Sequence, residues 1–398
     1  MIHSFEVENF YSINERQEVN FTTGKRYSDS YSKFNDYVVT KVGCFVGANA
    51  SGKTNLFRAM SFLSWFAQTS FYGLQDGDII PLMPHRLRAS EPSMFSATFD
   101  SNGRLYRYSV VAKQKCLLAE TLEVKAERGF HYIYKLTNDD GKINIRYNRT
   151  HRILEPINKH EEYRFKTKQN ASFLSFLRGA GYLKDIQADY ATNGFSNVTV
   201  LGTTIFDPLA EAVILSKELK QEETKKRLLP YLKNFDFGIE DFSVMHKRPY
   251  GNQEVDIVDF SHKSVGGSFT ISAFEESAGT IKGMYLLTML LRVLDSGGVA
   301  VVDEFDARLH YDIARKIISL FANADSNRNN AQLFFSTHQP LFLNDRDKTQ
   351  IFMCYKEDYL NTEVYRLDEL NDIRNSDNFF EKYLSGAYGA TPRIGGGC

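Results

Sequence analysis

The sequence predicts an α/β fold with a mixed β-sheet core, an antiparallel β layer and a helical insertion. Three observations predict it. The apolar stretch Lys41-Val42-Gly43-Cys44-Phe45-Val46 runs into a glycine-rich loop and then into residues 55–63, which are apolar at helical spacing. Two further stretches, 299–302 and 331–335, are apolar enough to be strands buried on both faces, as in a parallel sheet, and polar residues follow each. From Ser93 to Tyr147 the pattern alternates with period two, and turn signals at Asn102-Gly103, Arg128-Gly129 and Asp139-Asp140-Gly141 divide it into a meander. A meander does not fit β-α-β alternation, so it belongs to a second layer.

Taken in order, Ile2 to Val7 alternates as a strand and Gln17 to Phe21 is a second strand. Residues 24–36 are polar and read as a surface loop. The helix after the glycine-rich loop extends to about Phe71. Thr150 to Lys168 is strongly charged, and helices are expected over Ala171–Arg178, Phe206–Glu218 and Glu222–Leu232. The alternating charges from Glu218 to Arg227 read as a solvated helical face. Val255–Phe260 and Ser268–Ile271 return to strand, and Ile281–Leu294 is an apolar helix. Three segments result: 1–150, an N-terminal lobe; 151–240, the helical insertion; and 241–398, a C-terminal lobe.

Composition narrows the function classes. The 398 residues carry 48 Lys and Arg against 49 Asp and Glu, so no global basic field draws the chain to nucleic acid or anionic membrane. No apolar run approaches the roughly 18 residues of a membrane helix. The first residues, Met1-Ile2-His3-Ser4-Phe5-Glu6, lack the pattern of a signal peptide. Cys44, Cys116, Cys354 and Cys398 are scattered without C-x-x-C spacing, which suits free thiols in a reducing cytosol. A cytoplasmic protein with no membrane partner is therefore expected.

The most specific signal is Gly47-Ala48-Asn49-Ala50-Ser51-Gly52-Lys53-Thr54, which satisfies G-x-x-x-x-G-K-[ST] at every fixed position. Gly47 and Gly52 let the backbone curl so that N–H groups face phosphate oxygens, and the following helix adds the positive end of its dipole. Lys53 is expected to reach the β- and γ-phosphates and Thr54 to ligate Mg²⁺. A strand ending in Asp303-Glu304 places Asp303 to hold the same ion and Glu304 to take a proton from an attacking water. His338, after the next apolar strand, reads as a structural residue or as a partner of the γ-phosphate or the water. Ser277 precedes an apolar helix; it reads as a plain N-cap, or together with Gly279 as a second phosphate cradle serving a neighbouring copy.

The order of these parts resembles the ABC-type P-loop ATPase heads of the SMC, Rad50 and RecF kind. More closely, it resembles the AAA15 family of bacterial defence ATPases, whose relatives include the ATPase portion of OLD nucleases and the ATPases of the Septu, PARIS and AbiL systems. The ending Tyr383-Leu384-Ser385-Gly386-Ala387-Tyr388-Gly389-Ala390-Thr391-Pro392 is similar to that family's Y-L-x-G-x-Y-G-A-x-P. The opening Phe5 to Ile13 and the segment Asp303 to His310 are similar to its first strand and its D-E-x-D-x-x-L-H. The resemblance implies that Gly47, Asn49, Ala50, Ser51, Gly52, Lys53 and Thr54 form Walker A. It makes Asp303 and Glu304 Walker B, with Glu304 the general base, and His338 the switch histidine. Ser277 and Gly279 become the signature, acting across a dimer, and Asp306 lies in the D-loop. The signature is Ser-Ala-Gly-Thr rather than Leu-Ser-Gly-Gly-Gln, and Tyr11 stands where many relatives have Arg. Gln75 and Gln114 are the candidates by location for the Q-loop glutamine, and His85 lies in a loop of the same region.

The resemblance implies ATP and Mg²⁺ as cofactors and a head-to-head dimer or higher oligomer. Only 60 residues follow His338, too few for a fused nuclease of ordinary size, so a separate effector, a nuclease, is the expected partner. The favoured expectation is the sensor or regulatory subunit of an anti-phage defence system, triggered by nucleic acid or a phage protein. The alternatives are a RecF- or SMC-like repair ATPase acting on DNA, and a scaffold that binds ATP without appreciable hydrolysis.

Overall fold

The computed structural model describes residues 1–24, 28–148, 154, 157–183, 194–199, 202–203, 208–232, 235, 237–247, 255–357 and 361–391. Part of the charged stretch Thr150–Lys168 and the tail residue Pro392 lie outside the described residues.

Strand β1 (Ile2–Glu8) buries Phe5 and Val7 on one face, and β2 (Gln17–Asn20) returns antiparallel to it. The turn between them holds Asn9 and Tyr11 at positive φ. Asn9 secures that turn: its amide donates to the carbonyls of Arg88, Glu91 and Pro92 and its Oδ1 accepts from His85 N–H. Next come β3 (Thr22–Thr23), β4 (Tyr31–Phe34) and β5 (Tyr37–Thr40), a small sheet in the order β3-β5-β4. The surface loop expected over 24–36 is thus partly a strand. Tyr31 is buried, its hydroxyl 3.0 Å from an Asp347 carboxylate oxygen and 2.7 Å from the Thr349 hydroxyl, and these distant partners order a locally polar segment.

Strand β6 (Val42–Val46) is buried at every residue and leads through the loop into α1 (Lys53–Gly73). The predicted meander follows as β7 (Ser93–Ser101), β8 (Arg104–Lys113), β9 (Cys116–Ala126), β10 (Gly129–Asp139) and β11 (Lys142–Tyr147). Asn102-Gly103 and Asp140-Gly141 have φ > 0 at both positions, as two-residue hairpins with the right-handed strand twist require. The antiparallel sheet has the order β11-β10-β9-β8-β7-β1-β2.

Helices α2 (Lys159–Lys166) and α3 (Phe173–Gly179) pack beside this layer. The fully buried Glu120 of β9 accepts from the Tyr134 hydroxyl at 2.7 Å, the Ser172 hydroxyl at 3.0 Å, and the N–H groups of Phe173 and Leu174 at 2.7 and 2.9 Å. Burial pushes its carboxyl above the usual range, and these four donors pull in the opposite direction.

The chain continues with β12 (Phe195–Ser196), β13 (Val198–Thr199), β14 (Gly202–Thr203), α4 (Pro208–Glu218) and α5 (Glu222–Leu232). The charge run from Glu218 to Arg227 spans the break between α4 and α5 rather than one solvated helical face. Several of its charges pair with other elements: Glu218 with Arg292, Lys220 with Asp256, Lys225 with Asp241 and Arg227 with Asp295. A three-stranded sheet of β15 (Ile239–Lys247), β16 (Val255–Ser264) and β17 (Gly267–Ser272) precedes α6 (Ala278–Ser296). Then come β18 (Val299–Val302), α7 (Tyr311–Ala322), β19 (Gln332–Ser336), β20 (Ile351–Glu357), β21 (Asn361–Arg366) and α8 (Phe379–Leu384).

The core sheet has the order β12-β18-β19-β6-β20-β21 and is parallel except for β21. Residues on one face, such as Phe45 and Phe334, join α1 and the antiparallel layer in one hydrophobic core. Those on the other, such as Cys44 and Phe335, pack with α4 to α7 in a second. The two sheets are tied by Gln332, wholly buried. Its Oε1 accepts from Ile2 N–H at 2.6 Å and its amide donates to the carbonyls of Ile2 and Thr40 at 3.0 and 2.9 Å. The 151–240 segment reaches both faces: α3 lies in the first core, α4 and α5 in the second, and β12 joins the sheet itself.

The Glu120 cluster generates a stability prediction. In a Glu120→Gln variant an amide NH₂ would face groups that are themselves donors, at a cost of about 1–3 kcal/mol. A urea-unfolding midpoint equal to that of the unsubstituted protein would show that the cluster does not hold α3 to the sheet.

Candidate active site

The loop after β6 is shaped by steric necessity. A Cβ on Gly47 would lie 2.0 Å from the Cys354 carbonyl oxygen of neighbouring β20. Gly52 has φ 103°, and a Cβ there would lie 2.0 Å from the Thr362 hydroxyl. Thr362 is held in turn by the Ser12 hydroxyl at 2.7 Å, to which the Asn55 amide also donates. Lys53, the first residue of α1, folds back over the loop, its Nζ donating to the Gly47 and Ala48 carbonyls at 2.8 and 3.0 Å. Burial pushes its pKa down, while Cys354, Asp303, Glu304 and Asp306 act to raise it. The Ser51 hydroxyl is buried without a hydrogen-bond partner. Asn49 and Ala50 are exposed on the loop, Ala50 at positive φ.

Asp303 is the point where the elements meet. Its Oδ2 accepts from the Thr54 hydroxyl at 2.7 Å, and its Oδ1 accepts from the Ser336 hydroxyl. Ser336 Oγ accepts in turn from Glu304 N–H at 2.8 Å. The backbone of Asp303 is bracketed by Asn197, whose amide donates to the Asp303 carbonyl and whose Oδ1 accepts from the Asp303 N–H, both at 2.8 Å. Glu304 is exposed and left-handed, at φ 49°. Its carbonyl accepts from Lys282 Nζ of α6 at 3.0 Å. Burial pushes Lys282 down to about 8, against the pull of Glu211, Asp306 and Glu304. His338 is exposed, two residues beyond Ser336.

One cavity of about 1250 Å³ gathers Lys53, Thr54, Asp303, Glu304 and His338 around the loop 47–52. Ser277 and Gly279 do not line it. Ser277 caps α6, accepting from Thr280 N–H at 3.0 Å. Gly279 lies so close to the Arg308 carbonyl that a Cβ would approach it to 2.9 Å. Asp306 is buried away from the cavity, its Oδ1 without a hydrogen-bond partner. Neither Q-loop candidate lines the cavity, nor does His85. Gln75 is exposed, the Gln114 amide donates to the Leu82 carbonyl, and buried His85 accepts from Leu87 N–H. Tyr11 lies under the Arg58 guanidinium, 4.9 Å from its ring centroid.

The residues present fit a magnesium-bound triphosphate. The curled loop, the lysine and the unpartnered Ser51 hydroxyl suit phosphate oxygens. Among the described residues no group of three or more His, Cys, Asp and Glu could hold a metal unaided. Thr54 and Asp303 supply two oxygens, the sparse protein share typical of Mg²⁺ that completes its shell with phosphate and water.

Sequence reasoning missed Asn197 and Ser336. Asn197 lies in a stretch with no motif or periodicity, and only its pairing against β18 reveals it. Ser336 had a signal: a hydroxyl at the end of an apolar strand, next to Thr337 and His338.

This fold and this loop define a P-loop ATPase. The chain belongs to the AAA_21 family, described as "AAA domain, putative AbiEii toxin, Type IV TA system", whose profile matches residues 44–344. Among solved structures, the SMC head domain from Thermotoga maritima is similar to it at 12% identity and a TM-score of 0.44, over 92% of this chain and 98% of that one. No curated protein matches it.

The bracket on Asp303 generates a prediction. Asn197→Ala should raise the Mg²⁺ concentration needed for half-maximal nucleotide binding by about 10-fold, the lower end of losses seen when a metal ligand's support is removed. A magnesium titration with a fluorescent ATP analogue checks it, and an unshifted midpoint would show that the bracket does not set the ligand's position.

Proposed function

We propose that this protein hydrolyses ATP in a head-to-head pair of copies and serves as the sensor or regulatory subunit of a bacterial anti-phage defence system, controlling a separate nuclease effector. The observation that carries the ATPase part is the gathering of Lys53, Thr54, Asp303, Glu304 and His338 around one cavity. Ser277 and Gly279 stand outside that cavity, so in this reading they serve the cavity of a second copy.

Bound between Thr54 and Asp303, Mg²⁺ would supply neutralisation of the phosphate charge. The chain's own groups do the rest. Lys53 exchanges its two loop carbonyls for phosphate oxygens. The Glu304 carboxylate accepts a proton from the attacking water. Its backbone, fixed by Ser336 and Lys282, keeps that carboxylate at the cavity edge. His338 holds the far side of the water. Ser277 and the N-terminus of α6 offer N–H groups to the phosphates of the facing copy.

The defence role draws on the family description, which names a toxin of a toxin–antitoxin system, and on the resemblance of the tail to AAA15 proteins. A repair ATPase acting on DNA is the competing outcome.

Three substitutions test the proposal. Lys53→Ala should abolish ATP binding in calorimetry and phage protection in cells. Glu304→Gln should bind ATP but hydrolyse it at least about 100-fold more slowly, the minimum typical of a general base. It should also accumulate as an ATP-dependent dimer in light scattering, and Ser277→Arg should prevent that dimer. A Glu304→Gln protein that turns over ATP normally, or protection that survives Lys53→Ala, would refute the mechanism. ATPase activity stimulated by DNA ends would favour repair.

A further inference from the structure

The geometry points to a seat for the nucleobase and sugar on the cavity wall opposite the carboxylates, built from the end of β20 and the tail after α8. This rests on the triphosphate reading above and extends it to the rest of the ligand.

The strand order sets the direction. Asp303 and Glu304 follow β18, His338 follows β19, the phosphate loop follows β6, and Tyr355 and Lys356 lie near the end of β20, just before Glu357. The register places Met353 beside Val46, so Tyr355 and Lys356 stand beyond the loop's first glycine. Adjacent strands are about 4.8 Å apart, so three steps separate the carboxylate end from the β20 end by about 14 Å. If the terminal phosphate faces Glu304 and His338, the sugar and base must leave across β6 towards β20.

The wall changes character on that side. Carboxylates give way to Tyr355, Tyr383 and Leu384, with Lys356 and Thr391 beside them. Leu384 is 57% exposed, although Phe379 and Tyr383 of the same helix are buried. A leucine left in the open at a cavity mouth is an apolar surface suited to the face of a planar base. At about 1250 Å³ the cavity is larger than the roughly 300–1,000 Å³ typical of small-molecule sites, so it has room for more than three phosphates.

The wall is also tied to the loop. Ala48 N–H donates to the Ala390 carbonyl at 3.2 Å, the Tyr383 hydroxyl donates to the same carbonyl at 3.3 Å, and the Tyr365 hydroxyl donates to the Tyr388 carbonyl. Gly386 and Gly389, at φ 79° and 72°, turn the tail into this position. Base wall and phosphate cradle are therefore set relative to each other before a ligand arrives.

The test separates base from phosphate. Leu384→Ser changes an exposed residue and leaves the core intact. Calorimetry with Mg²⁺ would measure its dissociation constants for ATP and for inorganic tripolyphosphate against those of the unsubstituted protein. The expected result is about 10-fold weaker ATP binding with tripolyphosphate binding unchanged. Unaltered ATP affinity, or equal loss for both ligands, would overturn the base seat while leaving the phosphate site standing. An unsubstituted protein that binds neither ligand would overturn both.

Discussion

The hydrogen bond from Thr54 to Asp303 joins the start of α1 to the end of β18, two places 249 positions apart in the chain. It forms only if β6, β19 and β18 lie side by side in that order, so it states the topology of the core sheet in a single contact. Asp303 can make it because its other freedoms are removed. Ser336 takes the second carboxylate oxygen, and Asn197 takes both backbone groups. A carboxyl group engaged on both oxygens and at both backbone groups is fixed in place, and a fixed ligand is what a hydrated cation can be brought to.

The neighbour of this anchor is held quite differently. Glu304 adopts a left-handed backbone at a cost of order 1–3 kcal/mol. The surroundings over-determine it: Ser336 accepts from its N–H, and Lys282 and Ala307 N–H donate to its carbonyl. The result is a side chain turned out of the strand direction into the cavity while the preceding carboxylate stays in. Two adjacent acids thereby acquire unlike environments, one buried with both carboxylate oxygens hydrogen-bonded, the other open to water.

Much of this was legible in the sequence because local rules and global fold agree there. The loop needs Gly47 and Gly52 for reasons of close approach, and the meander announces itself through alternation and Asn-Gly or Asp-Gly turns. What stayed hidden depends on distant partners. Residues 31–34 are too polar to read as a strand until Tyr31 meets Asp347 and Thr349 from the other end of the chain. Asn197 has no local signature, since its role is fixed by a backbone 106 positions away. The Glu218–Arg227 charges read as a solvated face because their partners on other elements cannot be seen in one dimension.

The Gln332 clamp has a bearing on how the molecule is made. It ties the second residue of the chain to one 330 positions later, and β6 likewise has neighbours only from beyond residue 330. During synthesis the hairpins of the meander can close as they emerge, whereas the wholly apolar β6 must wait, unpaired, until strands about 290 residues further along have been made. Such late, long-range closure is slow and leaves a sticky edge open meanwhile.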